Sequence, residues 1–388
     1  MRYFFIFGNH PMLSSAELTA VLGGGGFIFE MGYCVFEREQ ELDLTDLQER
    51  LGGVVKCGVV LKNTSRTSLF DDAYQDIHAS AQWNQKISFG ISSYGVSLPI
   101  KQLGLSLKKR FKDEGVSSRF VTSKEPNLSS VIVKTNKLLT DRGRELVLMQ
   151  TSGEIVIGRT REVQPFTELS LRDYGRPIRD AKSGMIPPKL ARMMINMARV
   201  PHGGTILDPF CGSGTILQEA LLMGYKNVIG ADVSKKAIDG AKANLAWLSS
   251  VIPSANSNTA RLITTDARAL ESVIPPHSID AIITEPYLGP PLTGKESENV
   301  IQNIINELEQ LYKSVFTTFH QILSSNGRLI IIFPIIHHKR ISIECFVKSG
   351  FTQDKFFAKL YDDKKRGSLL YQRERQKVRR EIFALNKI

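Results

Sequence analysis

The residues DPFCGSGTIL at positions 208–217 mark a strand-to-helix turn from which the fold of the C-terminal half can be inferred. They follow a short apolar strand pattern, and Thr215 begins an apolar helical pattern. Gly212 and Gly214 allow the backbone to approach a ligand closely, and a helix start offers free N–H groups. A P-loop would need Gly-Lys-Ser/Thr, and a dinucleotide fingerprint would need a third glycine where Leu217 stands. The predicted ligand is therefore neither a polyphosphate nor a dinucleotide.

Strand and helix patterns alternate regularly around this turn, from a helix at 187–199 to a terminal pair of strands. A long helix follows residue 300, with isoleucine and leucine repeating at helical spacing. Such alternation predicts an α/β fold with a doubly wound, Rossmann-like sheet. In these sheets ligands bind beyond the carboxyl ends of the strands, near the point where strand order reverses.

Three aspartates close three successive strands of this predicted sheet. Asp208 ends the first strand, Asp232 the second and Asp266 the third. Asp232 is placed to accept hydrogen bonds from two ribose hydroxyls, and Asp266 to accept one from an amino group on an adenine edge. Any one of them alone could instead cap a following helix, as Asp often does.

These motifs resemble the class I S-adenosylmethionine-dependent methyltransferases, in the branch that methylates amino nitrogens. The resemblance covers roughly 185–388 and rests on DPFCGSGTIL, ADVS, TTDA and a Pro-Tyr pair at the tip of the fourth strand. It implies that the cofactor is S-adenosylmethionine and that the glycine loop holds its methionine moiety. The residues expected to bind the cofactor are Asp208, Pro209, Phe210, Cys211, Gly212, Ser213, Gly214, Thr215, Asp232, Val233, Asp266 and Ala267.

The tip of the fourth strand is expected to carry the catalytic residues. Where the family usually has Asp/Asn-Pro-Pro-Tyr/Phe, this chain has Thr284, Glu285, Pro286 and Tyr287. An exocyclic amine is a poor nucleophile because its lone pair is delocalised into the base, so acceptors for its N–H groups and good positioning are needed. Tyr287 would stack the extruded base. Either the hydroxyl of Thr284 with a backbone carbonyl, or Glu285, accepts from the amine. In a purely structural interpretation, Glu285 binds cofactor or caps the next segment.

The region ahead of the sheet resembles archaeal and eukaryotic tRNA guanine-10 N2-methyltransferases. SGMIPPKLARMMINMA at 183–198 matches the segment before their catalytic core, while VTSKEPNLSSVIVK at 121–134 and EIVIGRT at 154–160 resemble their THUMP domain. The implied domains are a ferredoxin-like α+β unit, a THUMP domain, a linker and a methyltransferase domain, at 1–60, 61–165, 166–185 and 186–388.

Local patterns in the N-terminal region give further expectations. They predict a strand at 2–7, a helix capped by Ser14 or Ser15, and a helix near 68–81. They also predict a strand at 131–134 and a hairpin that turns at Ser152-Gly153. The glycines at 23–26 precede strands, so they indicate a turn rather than a phosphate loop.

The net charge of +11 favours a polyanionic partner, nucleic acid first. The resemblance to tRNA enzymes makes RNA, and tRNA in particular, the expected partner. The residues expected to contact RNA phosphates are Lys124, Asn127, Arg159, Arg172, Arg176 and Arg179. The basic stretch 361–388 is either a solvated hairpin or an RNA-facing edge.

Composition limits the remaining alternatives. The length of 388 residues, with 42% hydrophobic residues, suits several globular domains. Four dispersed cysteines predict neither a disulfide framework nor a zinc site, no metal is expected, and nothing predicts a membrane span. The sequence therefore predicts a cytoplasmic RNA guanine-N2 methyltransferase acting on tRNA. Alternatives are the same reaction on rRNA, or an inactive RNA-binding or assembly protein with this core. No feature identifies a protein partner.

Overall fold

The computed structural model describes residues 1–79, 85–151, 153–179, 185–252, 260–373 and 376–388. Contacts within the chain divide it into two compact units. The N-terminal unit comprises Met1–Pro11 and Gly24–Glu168, and the C-terminal unit comprises Met12–Gly23 and Leu169–Ile388. The finer division of the N-terminal region at residue 60 and the linker at 166–185 stay predictions, and residues 180–184 of that linker lie outside the described residues.

The first part of the chain forms mixed α and β elements. In chain order they are β1 Arg2–Phe7, α1 Pro11–Leu22, β2 Phe27–Glu30, β3 Tyr33–Glu37, α2 Leu44–Arg50, β4 Val54–Thr64, α3 Leu69–His78, β5 Ile87–Tyr94, α4 Ile100–Asp113, β6 Ser118–Val121, α5 Ser130–Thr135, β7 Gly143–Thr151, β8 Glu154–Val163 and α6 Phe166–Tyr174.

The strands of the N-terminal unit form one sheet of eight, in the order β2-β3-β1-β4-β8-β7-β5-β6. Neighbours are antiparallel except that β5 runs parallel to β6 and β7. A buried ion pair between Lys56 and Glu145 lies in this sheet. The hydroxyls of Ser92 and Thr160 each donate to Glu145 over 2.7 Å, so the buried carboxylate is fully hydrogen-bonded.

Two local predictions in the first 180 residues were wrong. The sequence VIVK at 131–134 lies in α5 rather than in a strand, because the Ser129 side chain caps the helix by accepting from the Ile132 N–H. Helix α1 begins at Pro11, so Ser14 and Ser15 are buried inside it and do not cap it. The predicted helix near 68–81 is α3, although its last two positions lie outside the described residues. So does Ser152 of the predicted hairpin turn.

The C-terminal part alternates helices and strands as predicted. In chain order its elements are α7 Pro188–Ala198, β9 Thr205–Asp208, α8 Thr215–Leu222, β10 Asn227–Asp232, α9 Lys235–Val251, β11 Ala260–Thr264, β12 Ile279–Thr284, α10 Glu298–Ile322, β13 Leu323–Ile336, β14 Lys339–Arg340, α11 Glu344–Val347, β15 Phe351–Gln353, β16 Ser368–Tyr371 and β17 Val378–Lys387.

These strands confirm the predicted doubly wound sheet. The order along the sheet is β11-β10-β9-β12-β13-β17-β15, with β14 paired to β13 and β16 paired to β17. The first five strands are parallel, and β17 is antiparallel to β13. The chain winds from β9 toward β10 and β11 in one direction, and from β12 toward β13 in the other. Strand order therefore reverses between β9 and β12, where such sheets bind their ligands.

Helices cover both faces of this sheet and bury two apolar layers. On one face α1, α7, α8 and α9 pack their apolar side chains against the strands. On the other face α10 lies against the sheet with α11 and a short 3₁₀ helix, Ala267–Ser272. Burial on both faces explains why the central strands are nearly continuous apolar runs, as in β12 and β13.

No helix in the described part of the chain is both long and apolar enough to span a bilayer.

Candidate active site

Asp208 and Thr284 meet at the point where strand order reverses. Asp208 ends β9 and Thr284 ends the neighbouring parallel strand β12. The Thr284 hydroxyl donates to Asp208 Oδ1 over 2.8 Å, and the Phe210 N–H donates to the same oxygen over 3.2 Å. Both side chains are buried. The carboxylate of Asp208 therefore links the carboxyl ends of β9 and β12.

Burial raises the pKa of Asp208 to about 7, because the ionised carboxylate is poorly solvated there. The hydrogen bonds from Thr284 and Phe210 lower this pKa, while the nearby charges of Asp232 and Glu285 raise it further. A buried carboxyl group that titrates near neutral pH is well suited to receive a cation, because an ammonium or sulfonium stabilises its charged form.

The glycine loop after β9 is held by the aspartate that ends β10. Asp232 Oδ2 accepts from the Gly212 N–H over 3.0 Å, and Oδ1 accepts from the Ser234 N–H over 2.8 Å. Gly212 has a φ of +51° and Gly214 a φ of +85°, so the loop uses the left-handed region that glycine adopts at little cost. A side chain added at Gly212 would meet nothing within 4 Å, so the loop presents open backbone to a ligand.

Asp266 follows β11 and caps the 3₁₀ helix Ala267–Ser272. Its carboxylate accepts from the backbone N–H and the guanidinium of Arg268. These hydrogen bonds lower the pKa of Asp266, so it is a carboxylate at neutral pH. Asp266 therefore caps a helix, which is the structural alternative to a ligand contact for an aspartate at the end of a strand. Its proposed contact with adenine stays a prediction.

At the tip of β12, the side chain of Glu285 is already engaged. Arg380 of β17 binds both of its oxygens, with Nε toward Oε1 and Nη2 3.2 Å from Oε2. The side chains of Glu285 and Arg380 are 12% and 6% exposed. Whether Thr284 or Glu285 faces the target amine stays a prediction, since Thr284 is buried and Glu285 is bound to Arg380.

Pro286 and Tyr287 complete the tip in contrasting environments. Pro286 is buried, whereas the Tyr287 side chain is 53% exposed, which is unusual for a large aromatic residue. The backbone carbonyl of Tyr287 accepts from the buried hydroxyl of Tyr312 over 2.8 Å. Because the Tyr312 hydroxyl holds the main chain at Tyr287, the exposed ring is available as a stacking surface.

The segment 288–295 after Tyr287 ends in a tight turn built on Glu296. This carboxylate accepts from the backbone N–H of Thr293 and Gly294, and from the Thr293 hydroxyl over 2.7 Å. These hydrogen bonds lower the pKa of Glu296 to about 2. Lys377, just before β17, donates to the Thr293 carbonyl. The segment 288–295 is thus anchored at its far end.

The expectation that Arg172 and Arg176 contact RNA phosphates was wrong. Both are 3% exposed. Arg172 pairs with Glu219 of α8, which also pairs with Arg192. Arg176 Nη1 donates to the hydroxyl of Thr215 over 2.6 Å. Their partners lie on α8, far away in sequence, and these contacts place both arginines inside the C-terminal unit rather than on its surface.

The other predicted RNA contacts are only partly available. Lys124 is exposed, and Arg179 is exposed with its guanidinium 5.3 Å from the ring centre of Tyr174. Arg159 is paired with Asp76. The Asn127 side chain accepts from the Ser93 N–H over 2.7 Å, so it stabilises a loop. RNA contact by Lys124 and Arg179 stays a prediction that their exposure allows.

Two further groups of candidate residues become apparent only in the structure. The exposed Lys108, Lys109 and Lys112 of α4 line a shallow groove in the N-terminal unit together with Ser117 and Ser118. The sequence feature that could have indicated these lysines is the basic, amphipathic pattern of α4.

Arg380 and Asn244 are the second group, and both are buried polar residues. In the sequence Arg380 stands out only as part of the basic stretch 361–388, although alternation along β17 places it on the same face as Ile382 and Ala384. Asn244 of α9 gives no sequence signal, since a single polar residue in a helix is ordinary. In the structure it binds Ile178 and Ser213 through its side-chain amide.

The residues of this site fit S-adenosylmethionine. Asp208 and Asp232 end adjacent parallel strands on either side of the glycine loop, and Asp266 follows the next strand. Closely spaced carboxylates suit a cationic sulfonium and ammonium and would repel a polyphosphate. The open backbone at Gly212 gives close access to the ligand. When bound, the cofactor would supply an electrophilic methyl group.

Comparisons with known proteins point to methyltransferases. Residues 176–349 match the family described as RMKL-like, methyltransferase domain. The tRNA (guanine(10)-N2)-dimethyltransferase of Methanothermobacter thermautotrophicus is 27% identical over 339 residues, which are 84% of this chain and 86% of that protein. The U6 snRNA (guanine-N(2))-methyltransferase THUMPD2 of Bos taurus is 26% identical over 162 residues, or 42% of this chain and only 28% of that protein.

A solved structure shows the same fold over the whole chain. The crystal structure of TrmN from Thermus thermophilus superposes with a TM-score of 0.57 at 17% identity and covers 100% of both chains. At this identity the likeness shows the fold alone. The C-terminal unit therefore contains a region, 176–349, that is similar to the RMKL-like methyltransferase domain, and the chain shares its fold with TrmN.

Proposed function

We propose that this protein transfers a methyl group from S-adenosylmethionine to the exocyclic N2 of guanine in RNA, and that its substrate is tRNA. The observation that carries the proposal is the contact between Thr284 and Asp208 beside the glycine loop, with the exposed ring of Tyr287 three residues further on. In the proposed site, Asp208 would bind a cation, Thr284 would accept a hydrogen bond and Tyr287 would offer a stacking surface. The tRNA assignment is supported by the relative whose match covers most of both chains.

The target amine would be positioned by the tip of β12. The Thr284 hydroxyl uses its proton toward Asp208, so the lone pairs of its oxygen can accept a hydrogen bond. A backbone carbonyl of the tip supplies a second acceptor. With both N–H groups held, the nitrogen lone pair can point at the methyl group. Once methylated, the nitrogen would release its extra proton to solvent.

Tyr287 would hold the guanine after it leaves the RNA stack. Extruding a base costs a few kcal/mol, which base–aromatic stacking of about 1–3 kcal/mol partly offsets. The segment 288–295 would close over the base, because it follows Tyr287 directly and is anchored at Thr293 by Lys377. Its prolines restrict the conformations that it loses on closing.

RNA binding would draw on the N-terminal unit. The exposed Lys108, Lys109 and Lys112 lie along α4 beside a shallow groove, an arrangement that suits phosphate contacts. Lys124 is a further exposed candidate. We propose that this unit is the ferredoxin-like and THUMP region inferred from the sequence, and that it carries the substrate RNA.

We also propose that the enzyme works in the cytoplasm. All four cysteines are free and buried, as suits a reducing compartment.

The test is methyl transfer from radiolabelled S-adenosylmethionine to separate pools of transcribed tRNA, U6 snRNA and ribosomal RNA, followed by nucleoside analysis. We expect N2-methylguanosine or N2,N2-dimethylguanosine in tRNA. Labelled product in U6 snRNA or ribosomal RNA alone would move the substrate to that class. If the folded protein binds the cofactor and tRNA but labels no RNA, the inactive RNA-binding alternative replaces the proposal.

A further inference from the structure

The link between β16 and β17 carries exposed cations at the edge of the sheet where β12 ends. Strand β17 begins beside the end of β13, since Val378 pairs with Ile336, and β13 runs parallel to β12. The link therefore lies at the carboxyl ends of the parallel strands. Arg373 and Lys377 are exposed there, and Arg379 is half-buried at the start of β17.

The side chain of Gln376 fixes this link to the tip of β12. Its Oε1 accepts from the backbone N–H of Arg373 over 3.3 Å and from Arg380 Nη1 over 3.2 Å. The same guanidinium binds the carboxylate at the tip of β12. Lys377 adds a second contact, because its ammonium donates to the carbonyl of Thr293. The cations of the link are therefore held beside the candidate active site.

These cations differ from their neighbours in having no carboxylate partner. The arginines that pair with a carboxylate in this part of the sheet are Arg340, Arg366 and Arg380. Among the described residues, no carboxylate pairs with Arg373, Lys377 or Arg379. The Arg373 Nε donates instead to the hydroxyl of Tyr371 over 2.9 Å, and Lys377 donates to a backbone carbonyl. Three positive charges therefore remain uncompensated at this edge.

We propose that Arg373, Lys377 and Arg379 bind the RNA phosphates that flank the target guanine. Guanidinium and ammonium groups are the usual partners of nucleic-acid phosphates, and such contacts fix the position of the nucleic acid. When a base is extruded into a site, its backbone stays outside, so the adjacent phosphates lie near the rim of that site. Cations held beside the tip of β12 are within reach of them. This inference rests on the proposed function, because it needs RNA as the substrate.

The order of the strands places these cations away from the expected cofactor. The glycine loop and Asp232 belong to the ends of β9 and β10, on one side of β12, while β13 and β17 lie on its other side. A cofactor over β9 and β10 leaves the half of the edge formed by β13 and β17 open to RNA. The extruded guanine then stacks on Tyr287 between the two halves.

The test removes charge from the protein and from the RNA in turn. The full-length protein is given tRNA in which the linkages on both sides of the methylated guanine, located by nucleoside mapping, are either phosphodiesters or uncharged methylphosphonates. In single-turnover methyl transfer at limiting RNA, the parent protein should react about tenfold more slowly with the uncharged form, the loss expected for charge-assisted contacts.

The double variant Arg373→Gln with Lys377→Gln should lose a similar factor on the charged RNA. Its rates on the two forms should differ by less than about twofold, because the partners of the phosphates are gone. The double variant Lys226→Gln with Arg261→Gln is the matched control, since it removes the same charge beside the amino ends of β10 and β11. It should keep the parental ratio. Calorimetry with S-adenosylmethionine should give the parental affinity for both double variants, which shows that they are folded.

Each other outcome has a distinct meaning. If the parent protein labels no RNA, the proposed function fails and this inference falls with it. If the parent reacts equally with both RNA forms, the phosphate contacts are overturned while the proposed function stands. If Arg373→Gln with Lys377→Gln slows both forms by the same factor, these cations serve only to hold the segment 288–295, and the proposal is likewise overturned.

Discussion

The carboxylate of Glu285, at the tip of β12, is bound along both oxygens by the guanidinium of Arg380 in β17. The two residues are 95 positions apart, and β13 lies between their strands in the sheet. Glu285 stands where the motif expected from the family resemblance has a proline, so the pair adds a charged contact beside the predicted catalytic residues Pro286 and Tyr287. We infer that Glu285 stabilises the tip rather than contacting the base.

Removal of Glu285 should therefore affect stability first. Glu285→Ala leaves Arg380 buried without a charged partner and should lower the free energy of unfolding by about 3–5 kcal/mol. The double variant Glu285→Gln with Arg380→Met should be less destabilised than the sum of the single changes, because neither buried charge remains. Chemical denaturation followed by circular dichroism measures all of these values.

Glu344→Ala provides the control, since it removes an exposed carboxylate paired with Lys348 and should hardly change stability. Wild-type stability of Glu285→Ala together with a complete loss of methyl transfer would show instead that Glu285 itself accepts from the amine.

Removal of the Tyr287 ring should lower the rate of methyl transfer without changing the affinity for the cofactor. Tyr287→Ala removes the stacking surface and should cost about 1–3 kcal/mol in single-turnover methyl transfer at saturating cofactor. Tyr287→Phe keeps the ring and should be nearly unchanged, because the Tyr312 contact is to the backbone carbonyl. Calorimetry should give the parental cofactor affinity for both variants. Equal rates for Tyr287→Ala and the parent would rule out stacking by this residue.

Substitution of Asp232 should instead weaken the binding of the cofactor. Asp232→Ala removes the acceptor for the Gly212 and Ser234 N–H groups as well as the expected ribose contact. Cofactor binding should weaken by about 1–3 kcal/mol, the range for charged hydrogen bonds. The matched change Asp239→Ala removes an exposed carboxylate from the first turns of α9 and should leave cofactor affinity as it is. Equal affinities in the two variants would contradict the ribose assignment.

The sequence predicted the parts of the site that depend on local pattern. The strand ends at Asp208, Asp232 and Thr284 could be placed because apolar runs stop there and the sheet type fixes which ends meet. Arg172 and Arg176 could not be placed, because their partners Glu219 and Thr215 lie 47 and 39 residues away on another helix. A segment with little hydrophobic periodicity looks exposed until tertiary contacts bury its charges.

A short apolar run was similarly ambiguous. VIVK at 131–134 has the β-branched composition of a strand, yet it forms α5 because the preceding Ser129 caps it and the buried face needs only Val133 and its neighbours. Local propensity is a weak guide in segments this short, where capping and packing decide the conformation.

RNA affinity should depend on salt and on the lysines of α4. If several phosphates are neutralised, the logarithm of affinity should fall with the logarithm of salt concentration with a slope of several units. Replacing Lys108, Lys109 and Lys112 together by Gln should reduce this slope by about two to three units. Replacement of the exposed Lys226, Lys242 and Lys348 changes the charge equally and should have a smaller effect. Identical slopes for both triple variants would remove α4 from the RNA surface.

Cofactor binding should become tighter as the pH rises through neutrality, because burial raises the pKa of Asp208 to about 7. Below this pH the group is a neutral acid, and above it a carboxylate that attracts the cationic cofactor, so binding near pH 7 should release a proton. For the free protein the sign is reversed: the stability that Asp208 contributes is complete below about pH 4 and is lost as the pH rises through its folded-state pKa.

Because the Thr284 hydroxyl lowers the pKa of Asp208, Thr284→Val should shift the rise in affinity to higher pH, whereas Asp208→Asn should abolish it. Titration calorimetry at several pH values, in buffers of different ionisation enthalpy, measures both the affinity and the proton release. A pH-independent affinity in the parent protein would show that Asp208 does not face the cofactor's positive charge.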